Sequence, residues 1–156
     1  MRNTIVIGFG NTLRRDDGAG VAAAEKLAAE YPEAVVLTAQ ELHPELAETL
    51  SSYARVVFLD ASVRTTTVSV TRVLPDRLMQ GAEGHALSPS GVISLCSGLY
   101  GHTPDEALLV EIPAFDCGFV DTKSPGTLRM IDCGVQLISE LLAGKDTSRL
   151  ITTVKS

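Results

Sequence analysis

The sequence predicts a three-layer α/β/α sandwich, with helices on both faces of a mainly parallel sheet of about five strands, one of them antiparallel. Three observations carry this. Short runs rich in Val and Ile alternate with stretches whose apolar residues recur every three or four positions, the pattern of strands joined by helical crossovers. The chain has no Trp and only 4 Phe and 3 Tyr against 13 Gly, so its core is built from Val, Ile, Leu and Ala, a mix common in layered α/β proteins. Its 156 residues, 45% of them hydrophobic, suffice for one sizeable core and fall short of two. No repeat or Pro/Gly/Ser-rich linker divides the chain, so residues 1–156 are expected to form one domain, with 146–156 as a frayed polar tail.

Thr4-Ile5-Val6-Ile7-Gly8 is a continuous apolar run ending in Gly, as expected of a strand buried on both faces. Val21, Ala24, Leu27, Ala28 and Tyr31 then fall at helical spacing, and Pro32 closes that helix. Val35-Val36-Leu37 is the second strand. Pro44 suits the first position of a helix with Leu46, Leu50 and Tyr53 on one face, and Glu45 and Glu48 favour its positive N-terminal end. Val56-Val57-Phe58-Leu59 is the clearest strand and stops at the Asp60 carboxylate. Val68, Val70 and Leu74 alternate with polar residues, which predicts an edge strand; the link from Asp60 is too short for a helical crossover, so this strand runs antiparallel to its predecessor. Ser88-Pro89 is a helix start that runs to Gly101, and Leu108-Leu109-Val110 is the last strand. Ser124-Pro125 repeats the start signal for a helix carrying Leu128, Ile131, Val135, Ile138 and Leu142 and ending at Gly144.

The charge balance narrows the function classes. With 19 Asp and Glu against 13 Lys and Arg, a net charge of −6, the chain lacks the phosphate-neutralising face a nucleic-acid binder needs. No apolar run reaches the length of a membrane span. The opening MRNTIVIGFG is too short for a secretory leader and reads as the first strand, so a cytoplasmic address is expected. Three widely spaced cysteines argue against a disulfide framework.

In sheets of this kind ligands sit at the carboxyl ends of the strands. After the first strand, Gly8-Phe9-Gly10-Asn11-Thr12-Leu13 begins like a dinucleotide fingerprint, but Leu13 stands where the third glycine belongs. Asp16 and Asp17 follow at the start of the first helix, where they would repel a pyrophosphate, although Arg14 and Arg15 offset part of that charge. One aspartate explains a helix cap; the second is spare. Asp60 ends the third strand as Asp16 and Asp17 follow the first, so parallel strands gather these carboxylates at one edge. Burying such a group is costly unless it meets a metal, a cation or several donors, and backbone amides are the structural alternative for Asp60. His85 precedes the third helix and can face the same crevice, whereas His43 and His102 read as solvated. Asp, Asp and His from three segments would form a mixed-donor site suited to zinc or nickel. Asp116, beyond the last strand, is a further carboxylate for the same edge.

At these positions the chain resembles a known family. Gly8-Phe9-Gly10-Asn11-Thr12-Leu13-Arg14-Arg15-Asp16-Asp17-Gly18 is similar to the first motif of the [NiFe]-hydrogenase maturation endopeptidases, Val57-Phe58-Leu59-Asp60-Ala61 to their second, and His85-Ala86-Leu87-Ser88-Pro89 to their third. The resemblance runs in order from residue 1 to about residue 113. It implies a protease that removes the C-terminal extension of a hydrogenase large-subunit precursor after nickel insertion. It also implies a metal set of Asp17, Asp60 and His85 that recognises a divalent ion, the nickel supplied by the substrate, with Asp16 shaping the loop. The implied sheet has five strands, one antiparallel. The chain departs from the family at 39–46, where many members carry a glycine pair, and at 115–119, so these two loops bear on the choice of precursor.

Two routes to cleavage follow. The metal polarises the carbonyl and a bound water, or Asp16 or Asp17 acts as general base with the metal serving only in docking. There is no HExxH helix, no Gly-x-Ser-x-Gly elbow, and no cysteine with an activating neighbour. A monomer that meets the precursor, and neither nucleic acid nor membrane, is expected. The alternatives are a non-catalytic nickel-sensing or docking module and a nucleotide-binding oxidoreductase.

Overall fold

The computed structural model describes residues 3–76, 87–120, 122–145, 148 and 151. Its strands are β1 (Thr4–Phe9), β2 (Val35–Ala39), β3 (Arg55–Ser62), β4 (Ser69–Arg72) and β5 (Glu106–Pro113), and its helices are α1 (Ala19–Glu30), α2 (Leu46–Leu50), α3 (Pro89–Tyr100) and α4 (Pro125–Leu142). The strands form one sheet in the order β2-β1-β3-β5-β4. All neighbours are parallel except β4 and β5. The fold class is therefore the one expected.

Alternation along the strands decides the layers, since successive side chains point to opposite faces. Val6, Val57, Leu59, Leu108 and Val110 pack under α1 and α4, with Leu27, Ile131, Val135 and Ile138 opposite them. Ile5, Ile7, Val56 and Phe58 pack against α2 and α3, with Leu50, Val92, Ile93 and Cys96. The second, third and fourth residues of β1 are fully buried, as a central strand covered on both faces requires.

Several elements differ in detail from the sequence reading. β3 continues past Asp60 to Ser62, because its pairing with β5 runs from Arg55 opposite Glu106 to Ser62 opposite Pro113. β4 is indeed at the edge and antiparallel, but its partner is β5, which lies between it and β3. β2 is the opposite edge and leaves Val35 and Leu37 36% exposed. α2 starts at Leu46, two residues after Pro44; the turn before it is closed by Leu46 N–H to His43 O and Ala47 N–H to Pro44 O. In α1 Ala23 is buried and Ala28 exposed, and in α4 Leu141 is buried while Leu128 is 51% exposed. The two Ser-Pro helix starts are as expected: Ser88 Oγ accepts from Gly91 N–H at 3.1 Å and Ser124 Oγ from Thr127 N–H at 3.4 Å. α3 ends at Gly101, in the left-handed region at φ 66°. His85 and most of the 146–156 tail lie outside the described residues.

The topology fixes where a site can form. From β1 the chain crosses by α1 to β2 on one side, while β3 lies on the other side of β1. The order reverses between β1 and β3, and a crevice opens there at the carboxyl ends of the strands.

Candidate active site

A 3-10 turn, Arg15–Gly18, links β1 to α1 and carries both aspartates. Gly10 makes the loop possible: it sits at φ +143°, and a Cβ on it would lie 2.3 Å from Asp17 O. Asn11 Oδ1 accepts from Leu13 N–H at 3.0 Å, and Asn11 N–H donates to Asp17 Oδ2 at 3.1 Å, which orients that carboxyl group.

The two neighbours have different surroundings. Asp16 is 0% exposed. It accepts four hydrogen bonds: from the N–H groups of Phe115 (2.9 Å), Asp116 (2.8 Å) and Ser124 (2.8 Å), and from Ser124 Oγ (2.7 Å). Burial alone would raise its pKa, but the bonds from Ser124, Asp116 and Phe115 outweigh that and hold it at about 2. Asp16 thus ties the turn to the segment between β5 and α4. Asp17 instead faces a cavity of about 290 Å³ between the ends of β1 and β3.

Asp60 lines the same cavity, with Phe9, Gly10, Gln40, Leu42 and Leu87 among its other walls. Burial pushes its carboxyl group up to about 7, and the charges of Asp17 and Glu111 add to that, while a bond from Ala61 N–H works in the opposite direction. Glu111 was not singled out from the sequence. It stands opposite Asp60 in the β3–β5 register, so both side chains leave the same face of the sheet. Only the strand pairing could have identified it.

Of the predicted metal set, Asp17 and Asp60 come together, and His85 is outside the described residues; Leu87, two positions on, is part of the cavity wall. Among the described residues no group of three or more His, Cys, Asp and Glu is arranged to hold a metal ion. His43 and His102 are exposed. Asp116 is engaged by Arg15, Nη1 to Oδ2 at 2.7 Å, and its Oδ1 accepts from Gly118 N–H. Cys96, Cys117 and Cys133 are free thiols. The Cys117 thiol is pushed up by burial and by the charges of Asp17, Asp16 and Asp116, the opposite of what a nucleophilic thiolate needs. No described helix is long and apolar enough to cross a membrane.

No protein-family model matches the chain, and no curated protein matches it. Solved structures do. The hydrogenase maturating endopeptidase HybD from E. coli superposes with a TM-score of 0.71 over 91% of this chain and 94% of its own, at 21% identity. The [NiFe] hydrogenase maturation protease HybD from Thermococcus kodakarensis gives 0.67 over 89% and 98%, at 20% identity. HycI from Thermococcus kodakarensis, another [NiFe] hydrogenase maturation protease, gives 0.68 over 90% and 92%, at 22% identity.

The chain has the fold of the hydrogenase maturation proteases. At these identities the likeness is one of fold, and what the crevice does rests on its own residues. In this maturation-protease fold the reversal between β1 and β3 brings one carboxyl group from each strand end to a single cavity. A pair of carboxyl groups, one of them with proton affinity near neutrality, suits cation binding or proton transfer. It does not suit a dinucleotide phosphate, since the turn bearing Asp16 and Asp17 occupies the approach to α1.

Proposed function

We propose that this chain is an endopeptidase that removes the C-terminal extension of a [NiFe]-hydrogenase large-subunit precursor once nickel has been inserted. The observation that carries the reading is the meeting of Asp17 and Asp60 in one cavity at the strand-order reversal, on a fold shared with proteins named as hydrogenase maturation proteases. The donor set fits a divalent cation: burial, and then the charges of Asp17 and Glu111, hold Asp60 near 7, and a cation would offset both. Asp17, Asp60 and His85 would hold the precursor's nickel, which would fix the scissile bond in the crevice.

The chain's own residues then do the rest. The Asn11 N–H group orients Asp17 toward the cavity. Asp17 accepts a proton from the attacking water as its oxygen bonds to the carbonyl carbon, and returns the proton to the leaving nitrogen as the C–N bond breaks. The products are a new C-terminal carboxylate on the precursor and a released peptide with a free amine. Asp16 takes no part in the transfer, because it is fully buried and its four hydrogen bonds hold the turn.

Incubation with nickel-loaded precursor, read by mass spectrometry, tests this. Loss of the C-terminal peptide is expected with the unsubstituted chain and not with Asp17→Ala or His85→Ala. Undiminished trimming by both variants would overturn the assignment. A stable complex with no shortened product would instead favour a docking module, and saturable NAD(P) binding untouched by Asp17→Ala would favour the oxidoreductase.

A further inference from the structure

The loops that frame the crevice hold apolar side chains out into solvent. Leu13 is 68% exposed, Phe119 84%, Phe115 54% and Val120 48%. Single exposed apolar residues are ordinary, but these four belong to two segments fastened to each other. Arg15 N–H donates to Val120 O at 2.6 Å and Asp16 N–H to Asp116 O at 3.0 Å. Arg15 also pairs with Asp116, and the Arg14 guanidinium lies 5.0 Å from the centre of the Phe119 ring. Arg15 itself sits at φ 41°, a conformation that a non-glycine residue keeps only when its surroundings enforce it. The chain thus accepts backbone strain to hold Leu13 and Phe119 outward on a braced support. Aromatic and arginine side chains displayed in this way are the usual anchors of protein interfaces.

The patch is continuous with the crevice. Leu13 lines a cavity of about 330 Å³ with Thr12, Thr38 and Gln40, and that cavity shares Gly10, Asn11 and Gln40 with the one holding Asp17 and Asp60. Phe119 joins the same rim through Arg14, the residue next to Leu13, whose guanidinium lies over its ring. A partner that covers Leu13 therefore lies beside the cavity that holds Asp17 and Asp60. A second copy of this chain seated there would shut out a substrate. The guanidinium of Arg14, held over the ring, offers a positive charge at this rim to an acidic group.

We infer that Leu13, Phe115 and Phe119, with Arg14, are the docking surface for the folded body of the protein substrate whose C-terminal segment enters the crevice, an apolar surface bordered by a carboxylate. This rests on the peptidase reading. The test compares Leu13→Ser/Phe119→Ala and Arg14→Glu with the unsubstituted chain, and with Leu99→Ser as an exposed control on α3, using the nickel-loaded precursor. Binding is read by calorimetry, trimming by KM and kcat, and folding by thermal melting. The expected result is a rise in KM and Kd of about tenfold or more, with kcat at saturation changed by less than about twofold and the control unaffected. Folded variants that bind and trim with KM and Kd within about twofold of the unsubstituted chain would overturn the docking surface and leave the peptidase reading intact. A dimer of the free chain that Phe119→Ala dissociates would assign the patch to a second copy and also overturn it. If the unsubstituted chain fails to trim the precursor, the peptidase reading falls and takes the docking surface with it.

Discussion

Replacing Asp60 by Asn should make the protein more stable at neutral and alkaline pH while abolishing the proposed trimming of the precursor. The carboxyl group is raised from an ordinary 3.8 to about 7, chiefly by burial and then by Asp17 and Glu111. At about 1.4 kcal/mol for each tenfold change in proton affinity, the ionised group costs the folded state about 4 kcal/mol. The sign follows from which state binds the proton. Below about pH 4 both folded and unfolded chains are protonated at this position and the cost is absent. Between about pH 4 and 7 the unfolded chain loses its proton while the folded chain keeps it, so stability falls as pH rises; above about 7 the full cost remains. Asparagine has the same shape, no charge, and an oxygen that can still accept from Ala61 N–H. Urea unfolding in a chelating buffer should therefore show the two proteins equal near pH 4 and Asp60→Asn ahead by about 2 to 4 kcal/mol near pH 8. Added nickel should raise the melting temperature of the parent and not of the variant. A difference that does not change with pH, or a variant less stable at pH 8, would refute the account of Asp60.

Asp16→Ala should cost about 3 kcal/mol or more, since three backbone N–H groups and the Ser124 hydroxyl lose their acceptor inside the protein, and urea unfolding at neutral pH measures it. Because Asp16 is held at about 2, its contribution is complete above its ordinary 3.8 and disappears as pH falls through about 2; in acid titration followed by circular dichroism, Asp16→Asn should lose part of that pH dependence. Gly20→Ala should destabilise by about 2 kcal/mol, because its Cβ would lie 2.4 Å from Leu59 O and push α1 off β3. The same shift moves the adjoining turn, so kcat for precursor trimming should fall with it.

What the sequence makes legible is what local pattern encodes. The β1 run, the two Ser-Pro helix starts and the period of α4 are signals carried within a few residues, and each corresponds to an element. The extent of β3 was not legible, because a strand ends where its partner ends, and the partner, β5, lies some fifty positions away. The same non-local pairing puts β5 between β3 and β4 and sets Glu111 beside Asp60. Asp17 and Asp60 could be expected at one edge because parallel strands share a carboxyl end. The division of labour between Asp16 and Asp17 was implied by the family resemblance alone; its physical basis, donors from Phe115, Asp116 and Ser124, lies in a segment with no visible relation to the first loop.

That division has a physical logic. Asp16 is surrounded by donors, which lower its proton affinity and make it a fixed anion that binds loop to loop. Asp60 is buried with one backbone donor and two carboxyl neighbours; burial first, and then the neighbours, raise its proton affinity and leave it at a cost when ionised. A fold gains nothing in stability from the second arrangement, and strands β1, β3 and β5 would pack as well with an uncharged side chain at position 60. The cost is relieved only when positive charge enters the cavity, and the free energy released then goes into binding. Asp17 and Asp60 meeting at a strand-order reversal, with a braced apolar rim beside them, therefore suit the proposed role, a site that takes up a cation delivered by a protein.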